Sequence, residues 1–428
     1  MKLEVHIIQS FGPSCLNRDA TNSPKDCEFG GVRRARISSQ CFKRALRGYF
    51  REHNLVPVGE RTKRLRGELL NPKKPFFATL QHLQPPELLA PAIDAFVDTY
   101  YSKNDSKNPA HSAVLLFLSR AEMETVASIV RENWEDLHPI AAQRAKKVAD
   151  ITAKNAGAKK KPKPGEDADA EDTAEGAESA ADAGSGKFEN LPKPKHDKAI
   201  QARLEDAAIS SDIALFGRML ANDAKQGQVQ IKIDGASQVA HAISTHAAAP
   251  ELDFFSAVDD LNTDDAGAGM LGVTGFNAAC FYRYALLDFD ALAKNLGDDA
   301  EAAEQTARAF LEALVHALPT GKQNSMAAHN PPSLGFFVVR ESGAPCNLAN
   351  AFCTPVRASK DLGLIDGSVQ RLADYWARYA RVYGERGIVS KSLFCLDGAE
   401  QAGALGEPDS IDSAIEAAMG ALAARAVA

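Results

Sequence analysis

The chain has 428 residues, 45% hydrophobic and 25% charged, which suits a globular protein of two or three structural units. No apolar run approaches the ~20 residues of a membrane helix, the start Met1-Lys2-Leu3-Glu4-Val5-His6 has no leader core, and seven cysteines without a Cys-x-x-Cys pair argue against a disulfide framework or zinc ribbon, so the expected compartment is the cytoplasm. The net charge of −7 hides an asymmetry: residues 165–186 hold eight acids and no base, while 32–66 hold eleven Arg or Lys against two Glu, which points to a polyanion partner or to a solvated basic helix face.

Residues 2–9 alternate and predict a strand, with Leu3, Val5 and Ile7 on one face. A polar loop follows over 14–19, then a Phe29-Gly30-Gly31 turn and a short arginine-rich strand, Val32 to Ile37. Ser38 or Ser39 is a natural N-cap for a helix running to about Glu52. Its apolar face holds Phe42, Ala45, Leu46, Tyr49 and Phe50, and Lys43, Arg44, Arg47 and Arg51 take the opposite face. Residues 60–152 predict mostly helices and loops. In 153–198 a Lys/Pro run precedes an acidic tract, and between 165 and 186 nothing apolar exceeds Ala, so a disordered insertion is expected.

Further on, 208–219 and 229–245 read as strands, and 247–275 as a polar, Gly- and Asp-rich excursion. Residues 276–287 and 334–340 again predict strands. Residues 301–318 predict an amphipathic helix, and 368–383 a helix stopped by Gly384, before a last alanine-rich helix. That order matches an α+β, ferredoxin-like or RRM-like sheet with two large excursions.

Several motifs carry little. Gly267-x-Gly269-x-x-Gly272 lacks the preceding strand and following helix of a dinucleotide site, and Thr320-Gly321-Lys322 lacks the glycine loop of a P-loop. His241 and His246, five apart, are expected on opposite faces of a strand and do not form a metal pair. Neither Ser38, Ser39 nor any cysteine sits in a nucleophile elbow. Asp19, beside Arg18, is either an ordinary loop carboxylate or a general base or metal ligand. The strongest signal is 14–47, where a Gly-Gly turn, an arginine strand and a Ser-Ser-Gln helix start set N–H groups and hydroxyls beside cations. Such a patch grips a sugar-phosphate backbone without reading bases.

The same segment resembles the backbone subunit of type I-E CRISPR Cascade complexes, the CasC family, an RNA-binding RAMP-like group. The resemblance continues at 212–219, 233–246, 257–261, 281–284, 322–330 and 349–352. It implies an RRM-like palm (1–57 and 206–428), helical fingers (58–205) containing the 153–198 insertion, and a β-hairpin thumb near 247–275. It also implies a non-enzymatic subunit without cofactors. Several copies would stack along one guide RNA into a filament in antiviral defence, presenting the guide's bases to a target DNA strand beside the other Cascade subunits. Carried over by position, Arg18, Lys25, Arg34, Ser38, Ser39, Gln40, Lys43, Arg44, Arg47 and Lys322 would hold the guide. Met219, Phe254, Phe255, Ser256 and Leu271 would displace bases around the thumb. Val32 departs from the pattern, since relatives can carry a lysine there. Two rivals stand beside this reading: a metal-dependent ribonuclease-type backbone subunit, with an Asp of the Arg18 loop as the natural candidate, and a general single-stranded RNA binder.

Overall fold

A computed structural model describes residues 1–158, 188, 190–219, 232–258 and 268–424. Most of the expected disordered insertion lies outside the described residues; its first part, 153–158, continues a helix, Trp134–Ala158. The chain divides into two compact units, one of Met1–Val58, Ser210–Gly217 and Ile233–Ala428, the other of Gly59–Ile209 and Arg218–Lys232. Arg218, Met219 and Lys232, within the stretch expected in the palm, are grouped with the second unit.

The strands are β1 Lys2–Ser14, β2 Asp26–Phe29, β3 Val32–Ile37, β4 Glu60–Thr62, β5 Leu116–Leu118, β6 Ser237–Val239, β7 Ala242–Ser244, β8 Glu251–Val258, β9 Ala268–Asp288, β10 Leu334–Arg340 and β11 Ile388–Cys395. In the first unit they form an antiparallel sheet in the order β11-β10-β1-β9-β7-β3-β2, with β6 and β8 also paired to β9. One helix, Ser39–Glu52, leads from β3 towards β7, and another, Ala300–His316, leads from β9 to β10. The inner order β10-β1-β9-β7 is that of an RRM-like palm.

β1 is buried on both faces. Val5 and Ile7 line one small cavity with Phe42 and Leu314 from the two crossing helices. Ile8, Tyr282, Leu286, Phe336 and Val338 face the other way and pack under Leu348, Phe352, Val369, Leu372 and Trp376. The helix Leu364–Tyr383 therefore covers the sheet face on which RNA-recognition folds stack bases. His6 sits under that cover against Tyr282, Tyr284 and Phe336. Burial, aided by the charge of Arg340, lowers its pKa to about 3, so the ring is neutral. Its Nδ1 faces the Tyr282 hydroxyl at 2.9 Å. Glu4, also fully buried on this face, pairs with Arg340 and accepts from Cys346 N at 2.6 Å.

The second unit is helical around the small β4–β5 pair. Its helix Arg120–Glu132 opens on a capping box in which Ser119 Oγ accepts from Glu122 N and the Glu122 carboxylate accepts from Ser119 N. Arg218 bonds that same buried carboxylate at 2.8 Å, which anchors the returning segment.

The structure corrects several local expectations. The predicted strand over 208–219 is a short helix, Ser211–Phe216, ended by Gly217 at φ 77°. A Cβ on Gly217 would lie 2.8 Å from Ile233 O, so only glycine fits this close backbone crossing. The predicted strand over 229–245 becomes the short β6 and β7; 220–231 lie outside the described residues. His241 and His246 flank β7 and do not share one strand. The 247–275 excursion, loop-like by composition, is largely a hairpin of β8 and the outer half of β9. Gly269 and Gly272 lie within β9, in no phosphate-binding turn, while Gly267 is outside the described residues.

Candidate nucleic-acid interface

The basic segment folds as a loop, a hairpin and a helix start, and a few hydrogen bonds fix all three. Asn17 is the tie: its Oδ1 accepts from Ser38 N at 2.9 Å, and its carbonyl accepts from Lys25 N at 2.9 Å. Lys25 O in turn accepts from Arg36 N at 3.0 Å, closing the loop on β3. Ser38 is the N-cap, with its Oγ accepting from Cys41 N at 3.3 Å. Ser38 is buried, whereas Ser39 is half-buried and Gln40 exposed in the first turn.

A second loop meets this one. A Cβ on Gly321 would stand 2.5 Å from Leu16 O, so the 319–322 backbone lies directly on the 15–16 backbone. Lys322 is held at φ 55° and Ala327 at φ 47°, a left-handed conformation that costs non-glycine residues of order 1 kcal/mol or more each. The Gln323 amide offsets part of this by donating to Pro319 O and Ala328 O, each at 3.1 Å. The turn is fixed by its surroundings and presents Lys322.

Together these loops and the exposed side of the helix Ser39–Glu52 enclose a groove of about 1040 Å³. Arg18, Arg44 and Lys322 line it, brought together from three separate stretches of sequence. Burial raises the pKa of Cys15, against which Arg18 and Lys322 pull it down; burial likewise raises that of Cys41, against Lys25 and Arg44. Asp19 lines the groove but is committed to its own loop: Oδ1 accepts from Thr21 Oγ1 and Thr21 N at 2.8 Å and from Ser23 N at 3.0 Å. The Thr21 hydroxyl leads these donors in holding its pKa below the usual carboxylate value. Among the described residues no three His, Cys, Asp or Glu side chains gather as a metal-binding set.

Two arginines that the sequence reading gave to the guide are internal. Arg34 is fully buried, and its guanidinium donates to Phe29 O (3.1 Å), Ser244 O (3.1 Å), Phe352 O (2.7 Å) and Cys353 O (3.3 Å). It clamps the β2–β3 turn against the 352–353 backbone, where a Cβ on Gly30 would come within 1.9 Å of Cys353 O. Arg47 is 7% exposed, with Nε 2.6 Å from Asp212 Oδ2. Both guanidiniums are thus engaged by partners within the palm. Lys43 is half-buried, with Nζ 5.5 Å above the Phe216 ring.

The groove also holds residues that periodicity had assigned elsewhere. Ala45 and Tyr49, expected on the core face, line it, as do Gly48, His53 and His316. Tyr49 packs against His53 with ring centroids 4.2 Å apart and against His316 at 6.3 Å. A Cβ on Gly48 would meet nothing within 4 Å, yet glycine inside a helix costs about 1 kcal/mol relative to alanine. Ala45 and Tyr49 sit at the border of the core face, half-buried, so one edge of each side chain meets the groove.

The hairpin carries the base-displacing candidates. Phe254 opposes Val273 and Ser256 opposes Leu271, so these share one face with Leu252; Phe255 opposes Gly272 on the other. The Phe255 ring lies across Gly272, where a Cβ would approach it to 2.3 Å. Phe254 is 64% exposed and Leu271 62% exposed, so the ribbon presents large apolar side chains to solvent. At its base, a Cβ on Gly275 would be 2.8 Å from Pro24 Cδ, which joins the hairpin to the Arg18–Lys25 loop. Met219, in the second unit, is 77% exposed.

No curated protein matches the chain. Solved structures do match, among them the two described next. A chain of a "CRISPR RNA-guided surveillance complex, pre-nicking" shares 27% identity, with 98% of this chain and 100% of that chain covered at a TM-score of 0.69. A chain of a "CRISPR RNA-guided surveillance complex" shares 24% identity, with 99% and 100% covered at a TM-score of 0.55, and supports the fold alone. The palm with its insertions is thus the fold of a surveillance-complex chain, and the family model described as CT1975-like protein matches residues 3–417. The chain belongs to the CT1975-like protein family.

Proposed function

We propose that this protein is the guide-RNA-binding backbone subunit of a type I-E-like CRISPR Cascade surveillance complex. Several copies line up along one guide RNA, beside the other Cascade subunits, and present its bases to a target DNA strand. The observation that carries this reading is the groove, where Arg18, Arg44 and Lys322 converge beside the start of the helix Ser39–Glu52. Such cations hold phosphates without reading sequence, as a subunit serving any guide must. The exposed apolar hairpin, rooted against the same loop, supports a role in parting bases. The RNA-guided complexes to which the fold is similar supply the assembly in which both features make sense.

The reading is that of a scaffold and not of an enzyme. Asp19, the carboxylate that the sequence offers as a base beside Arg18, spends its Oδ1 on three donors of its own loop. Incubating the loaded complex with complementary RNA and Mg²⁺ tests this: intact target RNA is expected, and cleavage would favour a ribonuclease.

Guide binding is tested by measuring RNA affinity against salt for Arg44→Ala and Lys322→Ala. Each change is expected to weaken all RNA sequences alike and to flatten the log–log salt slope by about 0.7. An unchanged slope in both variants would remove the groove from the phosphate path. Sequencing the RNA that copurifies with the native complex separates a guide carrier, which retains repeat-derived RNA of one length, from a general single-strand binder.

A further inference from the structure

The groove is not uniform along its length, and the difference assigns its two ends to different parts of an RNA. Near the start of the helix Ser39–Glu52, Cys41 Sγ lies 3.6 Å from Leu16 O and Gly321 packs on Leu16, which sets Arg18 and Lys322 at the end of the groove that Arg44 lines. The other, reached along the helix Ser39–Glu52, holds Tyr49, His53 and His316, with Glu52 beside them. His316 ends the helix Ala300–His316 and His53 is the C-cap of the helix Ser39–Glu52, so two helices turn their carbonyl ends towards this region. Carbonyl ends carry partial negative charge, and Glu52 adds to it, which disfavours a phosphate there. Three clustered rings on a half-open surface suit the opposite chemistry, the neutral face of a nucleobase.

Between the two ends lies Gly48. Its Cα faces open groove, and nothing in the protein occupies the place of a side chain. Glycine there costs helix stability and serves no internal contact, so the vacancy fits a ligand backbone pressed close to the helix. From Arg44 to His53 the helix rises about 13 Å, enough to separate a phosphate site from a base site on one strand.

We propose that Tyr49, with His53 and His316, forms a base-stacking subsite, and that the RNA strand crosses the helix at Gly48 on its way there from the cationic end. The inference rests on the guide-binding reading of the groove and adds a contact that phosphate recognition does not require.

The test compares two RNA oligomers of equal length, one with normal bases and one with abasic sites throughout, bound to the full chain. Tyr49→Leu, which keeps an apolar body without a ring face, is expected to lower affinity for the normal oligomer by roughly tenfold. Affinity for the abasic oligomer should fall less than threefold, and the salt slope for either should not change. Tyr49→Phe should retain wild-type binding. His316→Ala, at an exposed helix end, checks the result independently of Tyr49 packing and should show the same selective loss. Gly48→Val should weaken both oligomers. Equal losses for normal and abasic RNA in Tyr49→Leu and His316→Ala, with Arg44→Ala still flattening the salt slope, would overturn the stacking subsite while leaving the guide reading intact. No affinity of the wild-type chain for either oligomer would overturn the guide reading and the subsite together.

Discussion

Replacing Arg47 separates a phosphate ligand from an internal strut. The Arg47–Asp212 pair is buried on both sides, at 9% and 0% side-chain exposure, with an Nε–Oδ2 distance of 2.6 Å. Ser210 Oγ donates to the other carboxylate oxygen of Asp212, also at 2.6 Å. Arg47→Ala strands that carboxylate in the interior, which typically costs about 3–5 kcal/mol. Denaturant unfolding of the palm, followed by near-UV CD, should register a loss of that size at unchanged slope. RNA affinity, measured where the variant remains folded, should keep the wild-type salt dependence. The double change Arg47→Met with Asp212→Leu should recover much of the lost stability, because an apolar pair removes the desolvation penalty together with the attraction. The reasoning fails if Arg47→Ala leaves stability within 1 kcal/mol, roughly the value of an exposed pair, and instead lowers the salt slope by about 0.7.

The remaining expectations concern the hairpin and the buried histidine. Phe254→Ala with Phe255→Ala should leave the melting temperature within a few degrees, since Phe254 is mostly exposed, while guide binding stays near wild type. Pairing with a target strand should weaken by roughly 1–3 kcal/mol per displaced base, and chemical probing should lose periodic guide reactivity; a periodic pattern with unchanged target affinity would move the wedge to Met219 or Leu271. His6, with a folded pKa near 3 against 6.5 unfolded, is neutral in the native palm while the unfolded chain takes up a proton. Its contribution to stability is therefore present above pH 6.5 and falls progressively as pH drops towards 3. His6→Phe should flatten the acid limb of the stability curve over that window, and an acid limb as steep as wild type would mean that other groups govern it.

What could be read from the sequence was what local chemistry dictates. The Ser38 cap, the Gly30-Gly31 turn, β1, β10 and the helix over 300–316 each carry their own signal in caps, glycines or periodicity. Two kinds of error followed from long-range effects. Residues 211–216 spell a short apolar run that a strand or a buried helix can equally adopt, and the structure shows a helix that Gly217 ends at φ 77°. Charge alone could not separate Arg44, exposed in the groove, from Arg34 and Arg47, whose partners lie up to 319 residues away in the chain. The same distance hid the aromatic end of the groove, since Tyr49 and His316 meet only through the packing of two helices.

β9 runs unbroken for 21 residues, its C-terminal half in the middle of the palm sheet and its N-terminal half out in the hairpin. The same covalent ribbon is therefore both keel and blade. A hairpin grafted on through a loop would swing independently, whereas this one inherits the twist and pitch of the strand from which it grows. Turning it would require shearing the ladder that pairs Phe11 through Lys2 with Ala279 through Asp288. In a row of identical subunits, the interval between successive blades would then be a property of protein stacking, imposed on the nucleic acid like the teeth of a comb.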